Sequence, residues 1–194
     1  MQPKSLAEEL ALGFSMNNKQ RRKALITRPR EDAAALAAAL NLRGIPSVIA
    51  PMMQTEFLSE DIESDLVSAQ AVLFTSRNGV RAFVRVSDRR DQQIYAVGDS
   101  TATLAIENGF TNVKSANGDS KDLATLVKDR LRPQDGPLIH ISGKTVAGDL
   151  SGILSVAGFQ VARRALYQAK PISALSADVV AAIRSGEIKY VLFF

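Results

Sequence analysis

The sequence predicts an α/β protein whose parallel sheets are covered by helices on both faces. Three observations carry that prediction. Short apolar runs alternate with longer stretches whose apolar residues recur at i, i+3, i+4 and i+7, the spacing of one helix face. The short runs are continuously apolar rather than alternating, as strands buried on both faces require. Loops rich in Ser, Thr, Asp and Gly follow the strands, where helices of βα units begin.

The elements follow in order. Leu6, Leu10 and Phe14 form one face of a short helix, and the polar, basic stretch 16–23 follows it. Residues 1–22 therefore read as a loosely ordered N-terminal extension. Ala24-Leu25-Ile26 is strand-like. Pro29 suits the first turn of a helix carrying Ala33, Leu36, Ala37 and Leu40, which Gly44 can cap. Ser47-Val48-Ile49 is the next strand. Residues 51–57 break the rhythm, and a short helix is expected over 61–67. Ala71-Val72-Leu73-Phe74 is a strand followed by a helix with Val80, Phe83 and Val84. Ile94-Tyr95-Ala96-Val97 is a strand followed by a helix with Ala102, Ala105 and Ile106. A weak strand surrounds Val113. Ser120 is the expected N-cap of a helix bearing Leu123, Leu126 and Val127. A strand over 137–141 precedes a helix with Leu150, Ile153, Leu154 and Ala157, and a further strand is expected over 159–161. Tyr190-Val191-Leu192-Phe193-Phe194 reads as a buried strand. A chain stopping there would present a sticky edge, so the expectation is a fragment or an unseen continuation.

Composition narrows the chemistry. The chain has 194 residues, 24 Lys+Arg against 20 Asp+Glu, one His and no Cys. The length allows one large domain or two small ones. Without Cys there are no disulfides, thiolate metal sites or Cys nucleophile. A single His argues against a zinc site, and a Ser-His-Asp triad would have to run through His140. The net charge of +4 suits an acidic ligand but is too small and dispersed to imply nucleic acid. No apolar run approaches the ~18 residues of a membrane span. Glu8 and Glu9 stand where a signal peptide needs an apolar core, so the chain reads as cytoplasmic.

Doubly wound sheets bind ligands outside the carboxyl ends of their strands, so the residues after each strand matter most. Four such ends look alike: Thr27-Arg28-Pro29-Arg30, Thr75-Ser76-Arg77-Asn78-Gly79, Gly98-Asp99-Ser100-Thr101 and Ser142-Gly143-Lys144-Thr145. Each offers hydroxyls and backbone N–H groups at a helix N-terminus, a setting that favours anions. Each also fits simple helix capping. Sharper motifs fail. Gly143-Lys144-Thr145 resembles the end of a Walker loop, but position 138 is Leu where the motif needs Gly. Gly98 lacks the partners of a dinucleotide fingerprint, and no acidic residue follows Ile26 or Phe74 as a phosphoacceptor would. His140 lies in an apolar strand and reads as a buried structural residue.

Three segments resemble the uroporphyrinogen-III synthase family: Ala24-Leu25-Ile26-Thr27-Arg28-Pro29, Phe74-Thr75-Ser76-Arg77-Asn78-Gly79-Val80, and Ala96-Val97-Gly98-Asp99-Ser100-Thr101-Ala102. Gly143 before a helix and Leu166-Tyr167-Gln168 before a Pro fit the same order. The resemblance implies two flavodoxin-like parallel-sheet domains joined by a two-stranded connector. Domain 1 would comprise 23–50 and 172–194, the connector 51–57 and 164–171, and the inserted domain 2 residues 58–163. Residues 1–22 have no counterpart in the family, and the family continues past the Phe-Phe at 193–194, which leaves domain 1 incomplete at the C-terminus.

The implied reaction is cyclisation of hydroxymethylbilane to uroporphyrinogen III, with inversion of the last pyrrole ring, loss of water, and neither cofactor nor metal. Tyr167 would give a proton to the leaving hydroxyl. Thr27, Ser76, Asn78, Gly98, Thr101, Ser142 and Gly143 would bind substrate, and Arg28, Arg77 and Lys144 would supply charge. Thr27, Ser76, Thr101 and Ser142 are expected to converge on one cleft. The implied partners are the linear tetrapyrrole substrate and the preceding pathway enzyme, with no nucleic acid and no membrane, and a monomer if the chain is complete. Fold alone does not fix function. A non-catalytic two-domain ligand sensor and an inactive truncated remnant stay open beside the synthase.

Overall fold

The computed structural model describes residues 22–193. The expected helix face of Leu6, Leu10 and Phe14 lies outside the described residues, as does Phe194. In chain order the elements are β1 (Lys23–Ile26), α1 (Arg30–Leu42), β2 (Ser47–Ile49), β3 (Met53–Phe57), α2 (Glu63–Ser68), β4 (Ala71–Phe74), α3 (Arg77–Val86) and β5 (Ile94–Ala96). Then come α4 (Asp99–Glu107), β6 (Val113–Ser115), α5 (Ser120–Arg130), a 3-10 turn (Pro133–Asp135), β7 (Leu138–Gly143), α6 (Leu150–Val156), β8 (Val161–Pro171), α7 (Ala177–Arg184) and β9 (Ile188–Leu192). The chain divides into two compact units, Met1–Gln54 with Pro171–Phe194, and Thr55–Lys170. Among the described residues no helix is long and apolar enough to cross a membrane.

The first unit carries a three-stranded sheet of order β2-β1-β9, with both pairings parallel. Pro29 stands one residue before α1 rather than inside its first turn, and Glu31 and Asp32 occupy that turn, where the positive end of the helix favours carboxylates. Gly44, at φ +71°, ends the helix in the left-handed conformation that glycine adopts without a Cβ penalty. Leu25, Ala50 and Val179 form a small core with Val48, Leu175 and Ile188 around them. The apolar β9 does not become a buried strand. Among the described residues it pairs with β1 alone, and Tyr190 and Val191 are 51% and 42% exposed.

The second sheet has the order β3-β8-β7-β4-β5-β6. β8, β7, β4, β5 and β6 pair in parallel. Side chains alternate across it. Val72 and Phe74 of β4 join Ile139 and Ile141 of β7 in one cluster with Leu66, Val80, Phe83 and Ala105 from α2, α3 and α4. Ala71, Leu73 and Leu138 join the opposite cluster with Leu123, Val127, Leu150 and Leu154 from α5 and α6. Helices therefore cover both faces, as continuous apolar strands demand.

Two further elements differ from expectation. The strand over 159–161 starts only at Val161, and β8 then runs for 11 residues through the segment read as a connector. Arg163, Arg164 and Gln168 hide its strand character, because each polar side chain has a partner. β8 lies beside β3 in the sheet, and the Leu58 N–H donates to the Leu166 carbonyl at 2.8 Å. The N-cap of α5 is Asp119, not Ser120. Its carboxylate accepts from Lys121 and Asp122 N–H, and Asp122 returns a bond to the Asp119 N–H, which satisfies more orphan donors than one hydroxyl could.

Phe74, Phe83 and Phe110 meet edge to face, with centroids 5.5–6.2 Å apart, and all three are almost wholly buried. Phe83→Ala should lower the unfolding free energy by about 3–5 kcal/mol, the range for a cavity left by a large aromatic. Val156→Ala, at a site 92% exposed, should change it by less than about 0.5 kcal/mol. Urea titrations of the two variants beside the parent check both; equal midpoints would refute the packing described.

Candidate functional site

Strand order fixes where the Thr55–Lys170 unit can bind a ligand. From β4 the chain steps outward through β5 and β6, then returns to place β7 on the other side of β4 and β8 beyond it. The order reverses between β4 and β7, and the crevice outside their carboxyl ends is where such sheets take ligands. A pocket of about 550 Å³ opens there. Thr75 and Ser76 come from the end of β4, Val97 from the end of β5, residues 119–121 from the start of α5, residues 145–149 from the loop after β7, and Tyr167 from β8. All of these walls belong to the one unit.

The chemical centre of the pocket is a pair of hydroxyls. Ser76 Oγ lies 2.7 Å from Tyr167 Oη. Ser76 is the N-cap of α3, and its Oγ also accepts from the Gly79 N–H at 3.3 Å. Helix α3 comes close enough to the sheet for this because residue 79 is glycine. A Cβ there would stand 3.2 Å from both the Ile141 carbonyl and Phe74 Cδ1.

Tyr167 reaches Ser76 through two features of β7 and β8. Ser142 pairs with Ala165, but Gly143 pairs with Tyr167. Leu166 is thus an extra residue, a bulge of the kind that re-aims side chains beside active sites. Leu166 and Tyr167 both pack toward the same core cluster, where a regular strand would turn them to opposite faces. The Tyr167 ring then lies against Gly143, whose missing Cβ would fall 2.9 Å from Tyr167 Cε2 and 3.2 Å from Cζ. The Lys144 N–H donates to the Tyr167 carbonyl at 2.8 Å and locks the strands together at this point.

The other residues singled out from sequence divide clearly. Thr101 is 3% exposed and Ser142 is fully buried, so neither side chain lines the pocket. Ser142 Oγ accepts from Arg163 Nε at 2.8 Å. Asn78 ties α3 to β3, donating to Thr55 Oγ1 at 3.2 Å and accepting from Arg81 at 2.8 Å. Gly98 caps α4, and a Cβ there would meet nothing within 4 Å. Arg77 is half-buried in the first turn of α3, and Lys144 is exposed in the loop after β7. Thr27 and Arg28 belong to the first unit. The Thr27 hydroxyl donates to the Leu192 carbonyl at 2.8 Å.

Sequence reasoning missed the acidic part of the wall. Asp119 and Asp149 line the pocket because they cap α5 and α6. Backbone N–H groups of Asp122 and Lys121 hold the Asp119 carboxyl below the usual carboxylate range. An Asp at the threshold of an apolar helical pattern was the available signal. Among the described residues no group of three or more His, Asp or Glu is placed to hold a metal ion.

His140 sits beneath Thr75. Its Nε2 is 3.2 Å from Thr75 Oγ1 and its Nδ1 is 3.3 Å from Ser151 Oγ. Burial, with a smaller push from Arg163, lowers its pKa to about 4. At neutral pH the ring is uncharged and serves as a hydrogen-bonding prop.

Comparisons with known proteins point one way. The model of the family HEM4, uroporphyrinogen-III synthase HemD, matches residues 34–194. A porphyrin biosynthesis protein HemD from Ruminiclostridium josui is 26% identical over 186 residues, 88% of this chain. The chain spans about a third of that relative, 36% of its length. A crystal structure of a mutant uroporphyrinogen III synthase from the extreme thermophile Thermus thermophilus matches with TM-score 0.55 at 17% identity, over 87% of this chain and 71% of that one. The uroporphyrinogen-III synthetase structure from Helicobacter pylori 26695 gives TM-score 0.54 at 17% identity, over 83% and 67%. These two likenesses show a shared α/β fold.

The buried imidazole makes a pH prediction. Its pKa is about 4 in the folded protein against an ordinary 6.5, so between these values the unfolded chain binds the extra proton. The stability tied to neutral His140 is complete above pH 6.5 and is lost as pH falls toward 4. Between pH 7.5 and 4.5 that loss should be about 2–3 kcal/mol at 1.36 kcal/mol per pH unit. Urea unfolding of the parent and His140→Gln across this range isolates it. The parent should lose that much more than the variant on acidification, and parallel curves would contradict a buried neutral ring.

Proposed function

The chain belongs to the uroporphyrinogen-III synthase HemD family, and from that premise we propose that it closes linear hydroxymethylbilane to uroporphyrinogen III. The observation that carries the proposal is the Ser76–Tyr167 hydroxyl pair, 2.7 Å apart, in a pocket at the point where the strand order reverses. A phenol is both donor and acceptor. Tyr167 donates a proton to the terminal hydroxyl, the C–O bond breaks and water leaves, giving an electrophilic azafulvene. Ser76 steadies the phenol oxygen as its proton departs. The substituted carbon of the last ring attacks, and the spiro intermediate fragments and recloses with that ring inverted; the carbon that forms the last bond then gives up its proton, which restores the Tyr167 phenol.

Unassisted closure would join the ends without inversion. The protein's main contribution is therefore to hold a folded conformer, an effect of positioning more than of strong acids or bases. In this reading backbone N–H groups at the starts of α3 and α4, with Arg77, Lys121 and Lys144, take substrate carboxylates. Buried Thr101 and Ser142 hold the loops that present them, together with Asn78, Gly98 and Gly143. For Thr27 and Arg28 as substrate contacts the support is the family resemblance. The same reading makes the protein a cytoplasmic enzyme fed by the preceding pathway enzyme.

Incubation with hydroxymethylbilane, oxidation and separation of the isomers tests the proposal. Isomer III should dominate, and isomer I at the spontaneous rate would overturn it. Tyr167→Phe removes one hydroxyl. Turnover should fall ~10²-fold, the lower range for general acid catalysis, with KM little changed. Undiminished turnover would make Tyr167 a packing residue only.

A further inference from the structure

We propose that Arg163 is a positioning residue of this pocket: its guanidinium clamps the carboxyl end of β7 and so keeps Gly143 against the Tyr167 ring. The inference rests on reading the pocket as the ring-closing site. Three bonds make the clamp. Nε donates to Ser142 Oγ at 2.8 Å, and Nη2 donates to the Gly143 carbonyl at 2.6 Å and the Lys144 carbonyl at 2.8 Å. The acceptors are three consecutive residues where β7 leaves the sheet for the loop 145–149, which walls the pocket. They also flank the register shift that presents Tyr167.

The loop that follows this strand end is exposed over residues 144–149, so bonds to the strand end itself help to fix where the loop starts. The planar fork of an arginine suits adjacent acceptors in a way a single ammonium cannot. Arg163 does not line the pocket, and its three clamp bonds go to Ser142, Gly143 and Lys144. Its effect passes through Gly143, whose contact with the ring leaves no slack, and through Lys144, whose N–H holds the Tyr167 carbonyl. Register places Arg163 opposite His140 on the face toward α5 and α6.

The test compares Arg163→Met, Arg163→Lys and Tyr167→Phe with the double variant Arg163→Met/Tyr167→Phe in the isomer assay. Loss of the clamp should cut kcat by about 10²-fold, as misplacement near 1 Å does, and leave KM within about twofold. In the Tyr167→Phe background the same change should cost less than about twofold, because coupled residues fail to add. Arg163→Lys should restore little. Full additivity, a change confined to KM, or full rescue by Lys would overturn the proposal. The chain's single histidine gives a readout independent of turnover. Followed by NMR from pH 8 downward, the His140 ring resonance should begin to move at higher pH in Arg163→Met than in the parent and Arg163→Lys. An unmoved resonance would show that the guanidinium is not seated at β7. A parent that fails to make isomer III would overturn the ring-closing reading, and the clamp would then stand or fall on that resonance alone.

Discussion

The Tyr167 ring occupies the space that a Cβ on residue 143 would need. The rest of the pocket's geometry follows from that contact. The ring rests there because β8 carries one residue more than β7 across the shift between Ser142 and Gly143. The extra residue sends Leu166 into the core and leaves Tyr167 leaning along the same face. From there its hydroxyl reaches Ser76 on the neighbouring β4 side of the reversal. Ser76 is fixed in turn because α3 approaches the sheet at Gly79. Two missing side chains and one added residue bring together groups 91 positions apart in sequence.

The electrostatics of the wall obey a related constraint. Asp119 and Asp149 face a pocket proposed to receive a polycarboxylate, a placement that repulsion should disfavour. Both carboxylates are already committed to backbone N–H groups at helix starts. The positive end of a helix offsets part of their charge, and that of Asp119 is stabilised enough to lower its pKa. The acids thus hold the two helix ends in place with little repulsion toward the ligand. Exposed Lys121 and Lys144 supply positive charge nearby.

Strands and helices were legible in the sequence because burial on both sheet faces forces continuous apolar runs, and the six residues of β7 are all buried. The loops worth inspecting were legible for the same reason: they follow the strands. Burial within those loops was not. Thr101 and Ser142 carry the right chemistry for binding, yet both are buried, and the Ser142 hydroxyl meets Arg163. A one-dimensional pattern does not distinguish a hydroxyl facing a pocket from one facing a neighbouring arginine. The length of β8 was hidden by Arg163, Arg164 and Gln168, whose partners lie 21, 99 and 112 residues away. Tyr167 was found by family resemblance; the bulge that aims it has no local signature.

Arg163 and Arg164 show how a strand divides two charges between two faces. Arg164 turns toward α2, where Nε and Nη2 grip Asp65 at 2.6 and 2.9 Å. Arg163 turns the other way and grips hydroxyl and carbonyl oxygens of β7. A bidentate ion pair on one side and a three-point clamp on the other restrict β8 just before the bulge. The proposed ring closure with inversion would require selection of one conformer among several of similar reactivity, a task of positioning that a stiff wall serves. Backbone carbonyls and N–H groups held by arginine and aspartate stiffen that wall.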